Sequence, residues 1–306
     1  MGDVHDLIIA GSGPAGLSAA IYAKRAGLDA VVIERNMISG GQILNTYEVD
    51  NYPGYPGISG FELGMKLREH ADKLGAAFAE DSIQSAELSG DVKKLIGEEA
   101  VYEAKTVIIA TGAHYKKLGA KGEELLTGAG VSYCATCDGA FFKGKVTAVV
   151  GGGDVALEDA IFLARMCKHV YLIHRRDEFR GAKILQDKLM ALENISVIWD
   201  TVVEEITGEN KVESIKLHNK KTEENSELKV DGVFIAVGIE PESHAFDGHI
   251  EMDGHGYILA GEDGKTSVPG VFAAGDIRTK GLRQIITAAS DGANCVTSVE
   301  RYLAEN

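Results

Sequence analysis

The apolar positions of this chain fall in short unbroken runs separated by glycine turns. Leu7-Ile8-Ile9-Ala10, Ala30 to Ile33, Val146 to Val150 and Val170 to Ile173 each predict a strand, and the Ala-rich stretch up to Arg25 and the segment up to about Cys167 predict the intervening helices. The order strand, glycine turn, helix, strand therefore occurs twice, which is the βαβ unit of a dinucleotide-binding domain. Two further runs, Thr106 to Gly112 and Val271 to Asp276, also end in glycine but open no second helix of this kind. If both belong to the first domain, the second is inserted into it and the chain crosses between them twice. The expected architecture is α/β: two Rossmann-like three-layer domains, with residues 1–113 and 246–306 forming the first and 114–245 the second.

The turns carry the chemistry. Gly11-Ser12-Gly13-Pro14-Ala15-Gly16 lies between strand and helix, where Gly11 makes the tight turn, Gly13 lets the backbone approach a pyrophosphate and Gly16 lets helix and strand pack closely. Glu34 ends the next strand 18 residues after Gly16, the place of a carboxylate that binds ribose hydroxyls, which suits FAD or NAD. The second turn is Gly151-Gly152-Gly153-Asp154-Val155-Ala156. Its strand ends instead in His174-Arg175-Arg176-Asp177-Glu178-Phe179-Arg180, and three guanidiniums fit the 2′-phosphate of NADP(H), which a carboxylate would repel.

Composition narrows the partners. The net charge of −15 disfavours nucleic acid and anionic membranes. No apolar run approaches the ~18 residues of a membrane span. Met1 to Asp6 is polar, so no signal peptide is expected, and Asp6 breaks a myristoylation pattern. Four cysteines in 306 residues make no disulfide framework, which points to the cytoplasm. Cys167 and Cys295 stand alone in helices and read as packing. His244, His249 and His255 are spaced by 5 and 6 residues, off any shared helical face, and read as surface loop residues, so no metal site is expected. The acidic stretch from Glu204 to Glu227 reads as solvated strands and turns.

Cys134-Ala135-Thr136-Cys137-Asp138 is the close pair. A zinc ribbon needs a second pair, whereas two intervening residues let the sulfurs meet, so thiol–disulfide chemistry is favoured. Asp138 suits either proton transfer beside the second sulfur or a helix N-cap.

These motifs together resemble the low-molecular-weight thioredoxin reductases. The likeness spans the whole chain: the first glycine turn, Gly40-Gly41-Gln42, Asn51-Tyr52-Pro53-Gly54, Ala110-Thr111-Gly112, the Cys134–Asp138 segment, the second glycine turn, His174 to Arg180 and Gly275-Asp276-Ile277-Arg278. The resemblance implies FAD contacts from Gly11, Gly13, Pro14, Ala15, Gly16, Glu34, Gly41, Gln42, Asn51, Thr111, Gly112, Gly275, Asp276, Arg283, Gln284 and Ala288. It implies NADPH contacts from Gly151, Gly153, Asp154, Ala156, His174, Arg175, Arg176 and Arg180. It further implies a homodimer in which electrons pass from NADPH through FAD to the Cys134–Cys137 disulfide and on to the disulfide of thioredoxin. In that scheme Cys137 faces the flavin, Cys134 attacks the substrate and Asp138 donates protons. The inserted domain is expected to rotate about its two connections, presenting disulfide and nicotinamide to the flavin in turn.

Some positions depart from the family pattern. Ser290 replaces a glycine in Ala288-Ala289-Ser290-Asp291-Gly292, with a slight expected effect on fit to the flavin, and Ala129 stands where relatives carry a basic residue that meets the partner protein. Phe141 and Phe142 either dock the partner or pack beneath the following strand. The alternative function is a flavoprotein reductase of another thioredoxin-like or peroxiredoxin-associated protein, although the additional N-terminal domain of the latter is not expected here. The Arg set argues against a ferredoxin-driven relative, the cysteine pair against a dithiol-free ferredoxin:NADP⁺ reductase, and bound flavin would exclude a nonenzymatic redox-sensing or zinc-binding module.

Overall fold

The computed structural model describes residues 4–46 and 48–306, in two compact units: the chain up to His114 together with Glu240–Asn306, and Tyr115–Ile239. The first unit opens with β1 (His5–Ala10), α1 (Pro14–Arg25), β2 (Ala30–Glu34), α2 (Gly60–Lys73) and β3 (Ala77–Glu80). A meander of β4 (Ile83–Glu87), β5 (Lys93–Gly97) and β6 (Val101–Ile109) follows, and β7 (Ala113–Tyr115) leads out of the unit. Strands β3, β2, β1 and β6 lie side by side in parallel, and β5 and β4 extend the sheet antiparallel.

The apolar run of β1 is unbroken because both of its faces are covered. Leu7 and Ile9 pack into one core with α1, while Ile8 and Ala10 enter a second core on the opposite face, and all four are fully buried. Pro14 at the first turn starts α1 without losing a needed N–H, and Gly27, at φ +75°, ends it in the left-handed region open to glycine. Ser59 and Glu62 form a reciprocal capping box at the start of α2.

The second unit repeats the plan with β8 (Val131–Ser132), α3 (Ala135–Asp138), β9 (Val146–Gly151), α4 (Asp154–Ala164), β10 (His169–Ile173), α5 (Lys183–Met190) and β11 (Ile195–Ile198). Then come β12 (Thr201–Thr207), β13 (Ser214–Asn219), β14 (Asn225–Lys229), β15 (Gly232–Ala236) and β16 (Ile239–Pro241). Strands β11, β10, β9, β15 and β8 form an all-parallel sheet. Strands β12, β13 and β14 form an antiparallel layer over one face. Val149 faces the helices, whereas Ala148 and Val150 face that layer, so each βαβ unit is a three-layer α/β domain. The exposed acidic residues between Glu204 and Glu227 belong to this layer.

The chain returns through β17 (Val271–Ala273), which adds in parallel to the far half of β6, and closes with α6 (Ile285–Glu305). The boundary expected from the sequence lies at residue 245. The second crossing falls at Ile239/Glu240, because β16 pairs with β7, and Phe246, fully buried, already sits in the core of the first unit. The small-residue run on α6 packs against α1: a Cβ on Gly292 would lie 2.1 Å from the Ala15 carbonyl oxygen, so only glycine permits this approach. Ser290 is exposed on the same helix. Among the described residues, no helix is long and apolar enough to cross a membrane.

Candidate active site

In the first unit, direct contacts bring the scattered motifs together around the Gly11–Gly16 turn. Gly11, at φ +101°, tolerates no side chain, since a Cβ would lie 2.6 Å from the Ala110 carbonyl oxygen of the Ala110-Thr111-Gly112 motif, and a Cβ on Gly16 would lie 1.9 Å from the Gly11 carbonyl oxygen. Gly13 is different: the nearest atom to a Cβ there is 4.0 Å away, so this face of the turn is open. It adjoins the start of α1, whose N-terminal N–H groups have no side-chain cap. Glu34 braces the turn, accepting from the Ser12 N–H at 2.8 Å, the Ser12 hydroxyl at 2.7 Å and the Asn36 N–H at 3.0 Å. Gly40 donates to the Ser12 carbonyl at 2.9 Å, which lays Gly41 against Gly13 and opens the short helix that carries Gln42.

The C-terminal segment closes the same region. A Cβ on Gly275 would come within 2.9 Å of the Ala15 methyl and 3.8 Å of the Ala288 methyl, so these three small residues meet, and Pro14 heads the helix beside them. Asn51 donates to Gln284 at 2.8 Å. Thr111 and Gly112 are tied to Glu242 by two hydrogen bonds of 2.8 and 3.0 Å. Asp276 Oδ1 and Arg283 Nε are buried and have no hydrogen-bond partner among the described residues, while the Arg283 guanidinium lies 4.1 Å from the centre of the Tyr257 ring. Burial pushes the Asp276 carboxyl up despite the nearby cations Lys280 and Arg283. An open glycine cradle at an uncapped helix start, beside orphaned buried polar atoms, fits a dinucleotide bearing a polar ring system.

One part of this region escapes motif reading. Asp291 on α6 is buried and accepts from Gly275 N–H at 2.9 Å, Arg278 Nε at 2.9 Å, Arg278 Nη2 at 2.6 Å and Lys280 Nζ at 2.8 Å. It thereby fixes the Gly275-Asp276 turn from behind. The sequence signal is a lone acid on a small-residue helix face, whose partners only the fold identifies.

The second unit carries the other cradle. Gly151 and Gly152 are closed in by the Ala236 carbonyl, the Ala156 methyl and the His174 ring, whereas Gly153 has nothing within 4 Å of a Cβ and heads an uncapped helix. Arg175, Arg176 and Arg180 are all exposed at the end of β10, and none has an acidic partner among the described residues. His174 and Asp154 are already engaged within the protein. The His174 ring is buried under Gly152, bonded through Nε2 to the Glu178 carbonyl at 3.0 Å and held neutral by burial, while Asp154 accepts the Ala182 N–H at 2.6 Å. Both therefore shape the loop that presents the guanidiniums.

The redox pair lies on the same unit. Cys134 and Cys137 are joined in a disulfide, with their Cα atoms 5.3 Å apart, and Cys134 caps α3, its carbonyl accepting the N–H groups of Cys137 and Asp138. Asp138 ends this helix and stands at the N-cap position of the 3-10 turn Gly139–Phe142 that follows, without a side-chain capping hydrogen bond. Its Oδ2 accepts the Ser132 hydroxyl at 2.6 Å, its Oδ1 is buried without a partner, and burial pushes its pKa up against the opposing pull of that hydrogen bond. Beside it, Tyr133 donates to Glu123, a buried carboxylate that also accepts the N–H groups of Leu118, Gly119 and Ala120. Phe142 packs edge-on to Phe234 and against Gly232 beneath β15, which leaves only Phe141 partly exposed. Cys167 and Cys295 are buried and free.

Residues 5–292 match the family model of pyridine nucleotide-disulphide oxidoreductases. The chain is 47% identical over 303 residues to the thioredoxin reductase of Bacillus subtilis, covering 99% of this chain and 96% of that one, and 46% identical to that of Listeria innocua over 99% and 95%. The crystal structure of thioredoxin reductase from Streptococcus pyogenes matches with a TM-score of 0.95 at 47% identity, covering 99% of each chain. Matched over nearly its full length, with the glycine cradles and dithiol in place, the chain belongs to the thioredoxin reductases of the pyridine nucleotide-disulphide oxidoreductase family.

Proposed function

We propose that the protein is an NADPH-dependent, FAD-containing thioredoxin-disulfide reductase. The observation that carries this reading is the Cys134–Cys137 disulfide with its buried Asp138, on the unit that also presents three exposed guanidiniums, without an acidic partner among the described residues, beside an open glycine turn. In this reading FAD is held by Gly11, Gly13, Gly16, Glu34, Gly41, Gln42, Asn51, Gly112, Gly275, Asp276, Arg283 and Gln284, and NADPH by Gly151, Gly153, Arg175, Arg176 and Arg180. FAD, when bound, supplies the two-electron chemistry that couples a hydride donor to a disulfide.

The remaining work falls to the chain. Once reduced, Cys134 attacks one sulfur of the thioredoxin disulfide as a thiolate, forming a mixed disulfide and releasing the other sulfur as a thiolate, which takes up a proton. Cys137 then attacks Cys134, restoring the Cys134–Cys137 bond and leaving thioredoxin with both sulfurs reduced. Asp138, whose pKa burial pushes up, is the proton store beside these sulfurs.

Access supports a moving inserted unit, connected to the rest only at the β7 and β16 crossings. Homodimer formation is supported by the exposed apolar residues Phe61 and Met65 on α2 and Leu282 and Ile286 at the start of α6. Two buried free thiols support a reducing, cytoplasmic setting. The deciding experiment is NADPH-dependent reduction of a thioredoxin disulfide by the yellow purified protein, with NADH and Cys134→Ser in parallel. Activity with NADPH that disappears in Cys134→Ser is the expected result; a colourless protein, preference for NADH, or an active serine variant would refute the assignment.

A further inference from the structure

We propose that Ser132 is a positioning residue that holds Asp138 Oδ2 as a hydrogen-bond acceptor and so directs the transferable proton to Oδ1. The inference rests on the reading of Cys134 and Cys137 as the working dithiol. Ser132 ends β8, is 5% exposed and is locked in register against Phe234 of β15. Its Oγ accepts the Cys134 N–H at 3.1 Å, and a hydroxyl then has a single hydrogen left to donate. Two acceptors are within reach: Asp138 Oδ2 at 2.6 Å and the Cys134 carbonyl at 3.4 Å, and the shorter contact wins.

A proton on Oδ2 would have to point at the Ser132 oxygen, making it accept twice, and would drive the hydroxyl's one hydrogen onto the longer Cys134 contact. A proton on Oδ1 disturbs nothing, because that oxygen is buried and bonded to no other group. The arrangement therefore serves both charge states. When the Cys134–Cys137 bond is opened by the two electrons that NADPH provides, one sulfur takes the Oδ1 proton to become a thiol and the other remains a thiolate. The Asp138 carboxylate left behind is already stabilised at Oδ2 by a donor that has not moved. The Asp138 shift is set by burial, with the Ser132 hydrogen bond opposing it; among the described residues none of the titratable groups on the adjoining elements, Tyr133 with its partner Glu123 and Asp154, Glu158 and Asp159 of α4, hydrogen-bonds to Asp138.

The test uses the full-length holoprotein and the variants Ser132→Ala, Ser132→Thr, Asp138→Asn and Ser132→Ala/Asp138→Asn. Two pH profiles are recorded: NADPH-driven thioredoxin reduction, and iodoacetamide alkylation of protein reduced with dithiothreitol, which needs neither NADPH nor thioredoxin. Loss of a hydrogen bond to the charged form raises the acid's midpoint, so Ser132→Ala is expected to shift the Asp138-dependent midpoint upward by about one pH unit in both profiles. Ser132→Thr is expected to restore it, and no shift is expected where Asp138 is asparagine. An unmoved midpoint in folded, yellow Ser132→Ala, a threonine variant shifted as far as the alanine one, or a shift that survives in the asparagine background would each overturn the proposal. A wild-type protein inert toward thioredoxin would instead overturn the reading of the site, while the alkylation profile still decides the part played by Ser132.

Discussion

Replacing Asp291 by alanine tests the feature that motif reading misses. The substitution removes one carboxylate but strands two cations, since the Arg278 and Lys280 side chains are only 8% and 6% exposed. It also takes the acceptor from the Gly275 N–H. Breaking a buried ion pair from one side costs about 3–5 kcal/mol, because the partner charge stays buried and uncompensated. For a unit of this size each kcal/mol lowers Tm by roughly 2–4 °C, so the expected drop at pH 7 is about 6–20 °C. The pH dependence follows from the direction of the Asp291 shift. Burial raises its pKa, but the hydrogen bonds from Arg278 and Lys280 outweigh it and hold the carboxyl below its ordinary range. Its contribution is therefore complete above the unfolded carboxyl pKa of about 4 and disappears as pH falls through the lower folded value. Thermal melts of wild type, Asp291→Ala and Asp291→Asn from pH 7 down to pH 2 read this directly, with the wild-type advantage expected to close only at the acid end. A Tm for Asp291→Ala within about 2 °C of wild type at pH 7 would refute the reasoning, since the stranded charges would then cost almost nothing.

Three further outcomes are expected. Arg176→Ala should raise KM for NADPH by about tenfold, the worth of one charge-assisted bond, and leave KM for NADH within about twofold; equal effects on both would remove the 2′-phosphate role. Asp159 on α4 has no hydrogen-bond partner among the described residues, and burial with Glu158 nearby pushes its pKa up to about 7. A raised folded pKa means stability is lost as pH climbs from about 4 to 7, so Asp159→Asn should out-melt wild type above pH 7, and the gap should vanish near pH 4; an unchanged gap across that range contradicts the assignment. Phe142→Ala should cost about 3–5 kcal/mol in urea unfolding, because it empties a core position, while Phe141→Ala should cost under about 1 kcal/mol. Similar losses for both would show that the two rings share one environment.

What could be read from the residues alone was whatever is local in the chain. The two glycine turns, the acid or guanidiniums at the following strand ends and the Cys134–Cys137 spacing each occupy a few consecutive positions, so their geometry follows from backbone sterics and element order. The position of the second crossing, at Ile239/Glu240, goes with the pairing of β16 with β7, and strand pairing across more than a hundred residues leaves no periodic mark. Asp291, Ser132 and Glu123 escaped for a related reason. Each acts by accepting or donating toward groups that the fold delivers, and a single serine or acid on an otherwise ordinary strand or helix carries no signature of its partners. Phe141 and Phe142 are equally apolar in sequence, and only the T-shaped packing of Phe142 on Phe234 separates them.

The edge strand β8 has a consequence for timing. It runs parallel to β9 and β15, so Ser132 and the cysteines after it emerge at the rim of the sheet where Gly151 opens the nucleotide cradle. In the proposed reading, electron entry and electron exit are thus mounted on one sheet as neighbouring cargoes. If the unit moves as proposed, both cargoes travel together and neither reaches its station without displacing the other, so loading and unloading take turns.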